Sequence, residues 1–243
     1  VGAGQVALVA VAVFASAAIQ STTGFGFALL AVPLMAIVIP AQDAVVLCAA
    51  LSLITATTQA VTERAHGDRP IVARMLVGAV LGAPIGLLVL SLATGRQLRF
   101  TLAAVIFAFL VMTLRGVRLH RAGRAVDLGA GLVAGVLNTS LSTNGPPIVM
   151  ALHARELPPE RFRATVAAVF TGSNVIAVTL FAATGRYDVD TLTLFAVSLP
   201  ALGLGYLVGV RQRRRFDAAA FRRLVLRLLA VTGVVTLVGA ILA

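Results

Sequence analysis

The chain is a succession of ten apolar runs, at 5–19, 26–40, 43–62, 71–93, 98–114, 126–137, 147–154, 164–184, 189–210 and 224–243, joined by short polar or basic segments. A helix needs about 20 apolar residues to cross a hydrocarbon core of about 30 Å. Six of the runs meet that length and four do not. The short ones come in two pairs, 5–19 with 26–40 and 126–137 with 147–154, and each pair flanks a polar, glycine-containing break. Composition fixes the solvent: 59% of the 243 residues are apolar and only 12% charged, whereas soluble domains are nearer half apolar and a quarter charged. The reading is therefore an all-α integral membrane protein whose length is consumed by its spans. Residues 1–19 lack a basic leader and a cleavage site, so targeting is expected to come from the spans themselves.

The two halves are similar when shifted by about 118 to 123 positions. Gln20-Ser21-Thr22 falls on Asn138-Thr139-Ser140, Pro40 on Pro158, Thr55 on Ser173, Gly82 and Gly86 on Gly205 and Gly209, and Phe100 on Phe221. The order of features is also shared: break, short run, proline, polar-spotted helix, glycine-rich helix, last helix. We expect a single membrane domain of two repeats. The first, 1–116, has a broken pair at 5–40 and spans at 43–62, 71–93 and 98–114. The second, 125–243, has a broken pair at 126–154 and spans at 164–184, 189–210 and 224–243.

Charge sets the orientation. The net charge is +11, and all twenty Lys+Arg are arginine, gathered between apolar runs as in cytoplasmic membrane loops. This makes nucleic acid a poor partner. If each broken pair enters and leaves on one side, re-entrant or as two short crossings, sixteen arginines share a face: Arg64, Arg69, Arg74, Arg115 to Arg124, Arg155, Arg161, Arg163 and Arg211 to Arg223. Arg96, Arg99 and Arg186 face the other side, and Arg227 lies inside the last helix. One continuous helix per pair would destroy that asymmetry. The favoured arrangement gives each half an odd number of crossings, so the repeats are inverted and their breaks meet near the midplane.

Irregular backbone survives in hydrocarbon only where protein or a water-filled cavity surrounds it, so both breaks are expected to line an interior site. A helix starts at each tip with free N–H groups and about half a positive charge. The expected caps are Thr22 or Thr23 in the first break, and Ser142, Thr143 or Asn144 ahead of Pro146 and Pro147 in the second. The candidate substrate-binding residues are Gln20, Ser21, Thr22, Thr23, Gly24 and Gly26 with Asn138, Thr139, Ser140, Ser142, Thr143, Asn144 and Gly145; Thr55, Gln59, Ser173 and Asn174 are further cavity candidates. None is charged, and hydroxyl and amide donors around two helix starts suit a small oxyanion rather than a cation.

Elsewhere the expectations are structural. Cys48 reads as a small buried hydrophobe, and a lone cysteine provides neither a disulfide nor a Cys-rich metal site. Gly78-x3-Gly82-x3-Gly86 and Gly205-x3-Gly209 read as close-packing faces. Asp43, Asp127, Asp188, Asp190 and Asp217 sit at run ends, where helix starts and loop solvation account for them. His66, His120 and His153 lie near run ends, and His153 reads as an interface residue near Arg155 and Glu156. Nothing here assembles a nucleophile with a base, a metal site or a cofactor site, and a chain without lysine has no Walker loop.

The segments Gln20 to Pro33 and Asn138 to Met150, the Ala164-Thr165 helix and the glycine-spaced helices resemble the sulfite exporter TauE/SafE family of bacterial permeases, over nearly the whole chain. The resemblance implies a carrier of sulfite, organosulfonates or related small anions in the bacterial inner membrane. The residues themselves support a secondary transporter that rocks one half against the other around an anion. A channel-like anion pore or a carrier of a small carboxylate is the alternative, with the bilayer, the anion and, as an open case, a second copy of the chain as partners.

Overall fold

The computed structural model describes residues 2–63, 67–115, 123–212 and 218–242. The readings made for Arg64, His66, Arg118, His120, Arg121, Arg213 to Arg215 and Asp217 fall outside these residues, as do the side chains of Phe221, Arg222 and Arg223. Among the described residues the chain is helical throughout, with no strand. The helices are α1 (Ala3–Thr23), α2 (Phe27–Met35), α3 (Ala41–Glu63), α4 (Arg69–Leu92), α5 (Gly95–Leu114), α6 (Arg124–Leu141), α7 (Gly145–His153), α8 (Pro159–Ala183), α9 (Val189–Gln212) and α10 (Ala218–Leu242).

Among the described residues six helices are long and apolar enough to cross a membrane: α1, α3, α4, α5, α8 and α9. One differs from expectation. The run 5–19 is part of a 21-residue helix, because α1 continues through the polar stretch to Thr23. Helix α10, Ala218–Leu242, carries most of the expected last run, and Arg227 on it is exposed. Val77, Val80, Leu81, Ile85 and Leu88 form an exposed apolar face on α4, as lipid contact requires.

Both short pairs are hairpins. Gln5 Nε2 donates to Val38 O at 2.9 Å, joining the start of α1 to the turn after α2. Asp127 at the start of α6 binds Arg155, just past α7, through Arg155 Nε at 3.0 Å and Nη2 at 2.6 Å. At nine residues, α2 and α7 are each about 13 Å long, less than half a hydrocarbon core.

Glycines set the closest helix contacts. Gly78, Gly82 and Gly86 of α4 lie on the backbone of Leu128, Leu132 and Val136 of α6, while Gly131 and Gly135 lie on Met75 and Ala79. Gly205 and Gly209 of α9 meet Phe14 and Ala18 of α1 in the same way. The fourth helix of each half thus packs on the first helix of the other, and α3 and α8 pack together between them. A Cβ at Gly82 would collide with the Leu132 carbonyl, which cannot rotate away. Gly82→Ala is therefore expected to destabilise the protein by about 1–3 kcal/mol, read as a lower melting temperature in detergent. Gly203→Ala, with nothing within 4 Å, should raise it through helix propensity.

The two ends of the bundle are held differently. At one end Glu63 pairs with Arg163, Asp68 lies 3.7 Å from Arg161, and Asp127 binds Arg74 and Arg155. At the other, Arg99 donates to Ala36 O at 2.7 Å and Gly239 O at 3.1 Å, Arg96 to Ala240 O at 3.1 Å, and Gln42 to Ala93 O at 3.2 Å. The first will be called the arginine-rich end.

Candidate functional site

Less of each polar stretch is irregular than the sequence indicates. Helix α1 runs to Thr23 and α6 to Leu141, and only 24–26 and 142–144 leave the helix. The hydroxyls explain this, since each satisfies itself on a carbonyl one turn back: Thr22 on Ala18 at 2.7 Å, Thr23 on Ile19 at 2.8 Å, Thr139 on Gly135 at 3.0 Å and Ser140 on Val136 at 2.7 Å. Thr22 and Thr23 therefore do not cap α2. Thr22 also donates to Gly209 O at 3.1 Å and Thr139 to Ala83 O at 2.7 Å, which makes both of them links between helices.

The chain turns where the left-handed region is reached. Gly24 ends α1 at φ 88°, and Gly26 at φ 98° starts α2. Both are positions that glycine occupies without a Cβ penalty. Helix α6 ends on a left-handed cap, with Ser142 N on Asn138 O at 2.8 Å and Thr143 N on Leu137 O at 3.1 Å. The left-handed residue there is Ser142, at φ 55°, where glycine is the usual occupant. Asn144 precedes α7, and its side chain makes no cap bond.

The two tips meet. A Cβ at Gly145 would lie 3.8 Å from Phe25 of the first tip and 3.7 Å from Phe170 of α8. Beside this contact is a cavity of ≈ 20 Å³, lined from the first hairpin by Gln20 and Gly26 to Leu29, and from the second by Ser142 to Gly145. Helix α3 contributes Ser52, and α8 contributes Phe170 and Asn174. The space is about that of one water, so this conformation is closed. Among the described residues no charged side chain lines it.

Of the expected residues, Gln20, Gly26, Ser142, Thr143, Asn144, Gly145 and Asn174 are brought together here. Ser21, Thr22, Thr23, Gly24, Thr139 and Ser140 are not among the lining residues. Thr55 and Gln59 lie further along α3, and Thr55 hydrogen-bonds Gln20 Oε1 at 2.9 Å. Asn138 and Ser173 form the corresponding contact in the second half, Asn138 Nδ2 donating to Ser173 O at 3.0 Å. The residues matched by the sequence shift, Gln20 with Asn138 and Thr55 with Ser173, thus pair in each half, with the hydrogen bond running in opposite directions. Ser52, Phe170 and the first turn of α2 were missed. Their signal was the helical period, since Ser52 is three residues from Thr55 and Phe170 four from Asn174.

The donors are unequal between the tips. Phe27, Ala28 and Leu29, the first turn of α2, line the cavity, and the first N–H groups of a helix have no partner within it. The first turn of α7 holds Pro146 and Pro147, which have no N–H, so the second tip offers mainly side chains. Asn144 Nδ2 is buried and makes no hydrogen bond, and buried Ser142 Oγ has only the weak Cys48 thiol beside it. Buried polar atoms normally find a partner, so this pair is spare donor capacity facing a polar space. Cys48 is fully buried behind it, 3.9 Å from Ser52 Oγ, as expected of a small hydrophobe. Among the described residues no group of His, Cys, Asp and Glu could hold a metal ion.

A polytopic helical membrane protein with two hairpin tips around a buried polar space has the build of a transporter. The family model for the sulfite exporter TauE/SafE matches residues 8–236, and the chain belongs to that family. It is 32% identical over 163 residues, 65% of this chain and 68% of the relative, to a protein of Comamonas testosteroni described as the probable inner membrane transporter protein TsaS. No solved structure matches. The protein is thus a multi-pass inner-membrane transporter and not an enzyme.

Proposed function

We propose that the protein is a secondary exporter of small oxyanions such as sulfite or organosulfonates. The anion is held between the tips of the two hairpins and exposed alternately to each side. One observation carries this reading: both tips converge on a space lined by hydroxyl and amide side chains and by the start of α2, with no charged side chain among the described residues that line it. The N-terminus of α2 adds about half a positive charge from its macrodipole, and α7 adds a similar field though few N–H groups. Ser142 supports the same reading. Its left-handed backbone is costly for a residue with a Cβ, and the cost keeps a hydroxyl on the cavity.

The two-repeat organisation, 1–116 and 125–243, is part of the proposal. It is supported by the matching Gln20–Thr55 and Asn138–Ser173 contacts and by the exchanged packing of α1 on α9 and α6 on α4. The first hairpin closes at the arginine-poor end and the second at the arginine-rich end, as inverted repeats require.

The test is purified protein in liposomes, scanned with sulfite, sulfoacetate, taurine, sulfate and simple carboxylates, with and without a pH gradient. The expected result is saturable flux of sulfite or a sulfonate with counterflow. Flux without counterflow at rates above carrier turnover would make the protein a pore. Carboxylate flux alone would reassign the substrate, and cation flux without anion flux would defeat the proposal.

A further inference from the structure

Among the described residues of α3 and α8, polar side chains continue from the cavity toward the arginine-rich end. On α3, Ser52, Thr55, Gln59 and Glu63 fall within about 80° of one another around the helix and extend over about 16 Å. The stripe begins at the cavity with Ser52, passes the Thr55–Gln20 hydrogen bond, and reaches Gln59, whose Nε2 would lie 3.2 Å from a Cβ at Gly24. It ends at the Glu63–Arg163 ion pair of the arginine-rich end, each side chain 18% exposed. Arg163 lies two turns from Phe170 on α8, and its Cγ would be 3.9 Å from that same Gly24 Cβ. Toward the other end the same helices offer Cys48, Val45 and Ala44, with Ala177 and Phe181, all fully or almost fully buried in the apolar core.

Two donors along the stripe are unspent. Gln59 is 3% exposed and its Nε2 has no hydrogen-bond partner; Arg163 Nε is buried and also has none. An amide N–H and a guanidinium N–H beside the first hairpin's turn, with no acceptor supplied by the protein, have the chemistry of an oxyanion contact. Glu63 covers the remaining charge of the guanidinium. A carboxylate and a small oxyanion compete for the same fork of donors.

We propose that Arg163, with Gln59, is an anion-binding position on the path between the cavity and the arginine-rich end, and that Glu63 masks it in the closed conformation. The proposal rests on the anion-carrier reading. An anion arriving from that end displaces the Glu63 carboxylate, neutralises Arg163 and releases α3 from α8. It then passes by Gln59 to the donors of Gln20 and the hairpin tips. The position gives selection by charge at the mouth, while the cavity itself stays uncharged.

The test uses a Cys48→Ala background carrying Ser52→Cys as the sole cysteine, in membrane vesicles of each orientation. Two impermeant methanethiosulfonates are compared, one bearing a sulfonate and one a quaternary ammonium. From the arginine-rich face the sulfonate reagent should react about tenfold faster than the cationic one. Glu63→Gln should speed the sulfonate reagent by about a further tenfold. Arg163→Gln should abolish the preference and Arg163→Lys should retain it, the latter variant serving if the former does not fold. A preference unaffected by Arg163→Gln, or a Ser52→Cys that the Glu63→Gln variant leaves unreactive from this face, overturns the proposal. Sulfite counterflow in the same vesicles tests the carrier reading separately. Exchange of sulfite with no influence of Arg163 on labelling sinks only the path, and labelling governed by Arg163 without sulfite exchange sinks only the carrier.

Discussion

Asp127→Asn is expected to lower the stability of the protein by about 3–5 kcal/mol, more than any single truncation of an exposed apolar side chain. Asp127 is completely buried at the start of α6, and three N–H groups converge on its carboxylate. Arg74 Nε of α4 donates at 2.8 Å, and Arg155, beyond α7, binds it bidentately. Asparagine keeps one acceptor oxygen but removes the charge, so two guanidiniums, 24% and 19% exposed, face each other without a counter-ion. Breaking a buried pair from one side costs more than the pair ever contributed, because the uncompensated charge remains. Thermal unfolding in detergent measures the loss. The triple variant Asp127→Leu with Arg74→Met and Arg155→Met should recover most of it, since it removes charge and counter-charge together. A melting temperature unchanged by Asp127→Asn would show that the triad contributes nothing to closing the second hairpin.

That carboxylate also marks a limit of reading by sequence. A carboxylate in the first turn of a helix is explained well enough by the macrodipole and by solvent, and Asp188 does behave that way, accepting from Thr191 N at 2.7 Å. Asp127 lies inside the first turn of α6, where Asp188 stands just ahead of α9, and it is buried. The difference is made by Arg74 and Arg155, which are distant in sequence and read only as orientation signals. The hairpin polar stretches failed for a related reason. Sequence displays the hydroxyls of Thr22, Thr23, Thr139 and Ser140, but not that a carbonyl one turn back takes each of them, so a helix was read as a break. Glycine was the reliable mark. Gly24 and Gly26 turn the chain, and the Gly78, Gly82, Gly86 and Gly205, Gly209 spacings are the helix contacts they were read to be. These depend on the absence of a Cβ, which is visible in a sequence, whereas the destination of a hydrogen bond is not.

In an uncharged cradle the affinity must come from a few donors, so removing two of them should be severe. The Gln20→Leu, Asn144→Leu double variant is expected to weaken sulfite binding by about 10²- to 10⁴-fold, since a hydrogen bond to a charged partner contributes about 1.5–3 kcal/mol. Leucine keeps the volume roughly constant, and the Thr55 hydroxyl that meets Gln20 retains the Ser52 carbonyl at 3.1 Å, so packing around the first tip should survive. Asn144 is the sharper of the two, because its Nδ2 has no partner to lose. Thr22→Val is the control: that hydroxyl is taken by the Ala18 and Gly209 carbonyls, and binding should be unchanged. Titration calorimetry with sulfite on the purified, monodisperse variants reads both. Sulfite affinity equal to wild type in the double variant would remove the hairpin tips as the cradle. A loss in Thr22→Val as large as in the double variant would mean that the α1–α9 contact, rather than any donor, sets the affinity. The expected separation between them follows from one distinction, between polar groups whose hydrogen bonds are already made within the fold and those that only a ligand can complete.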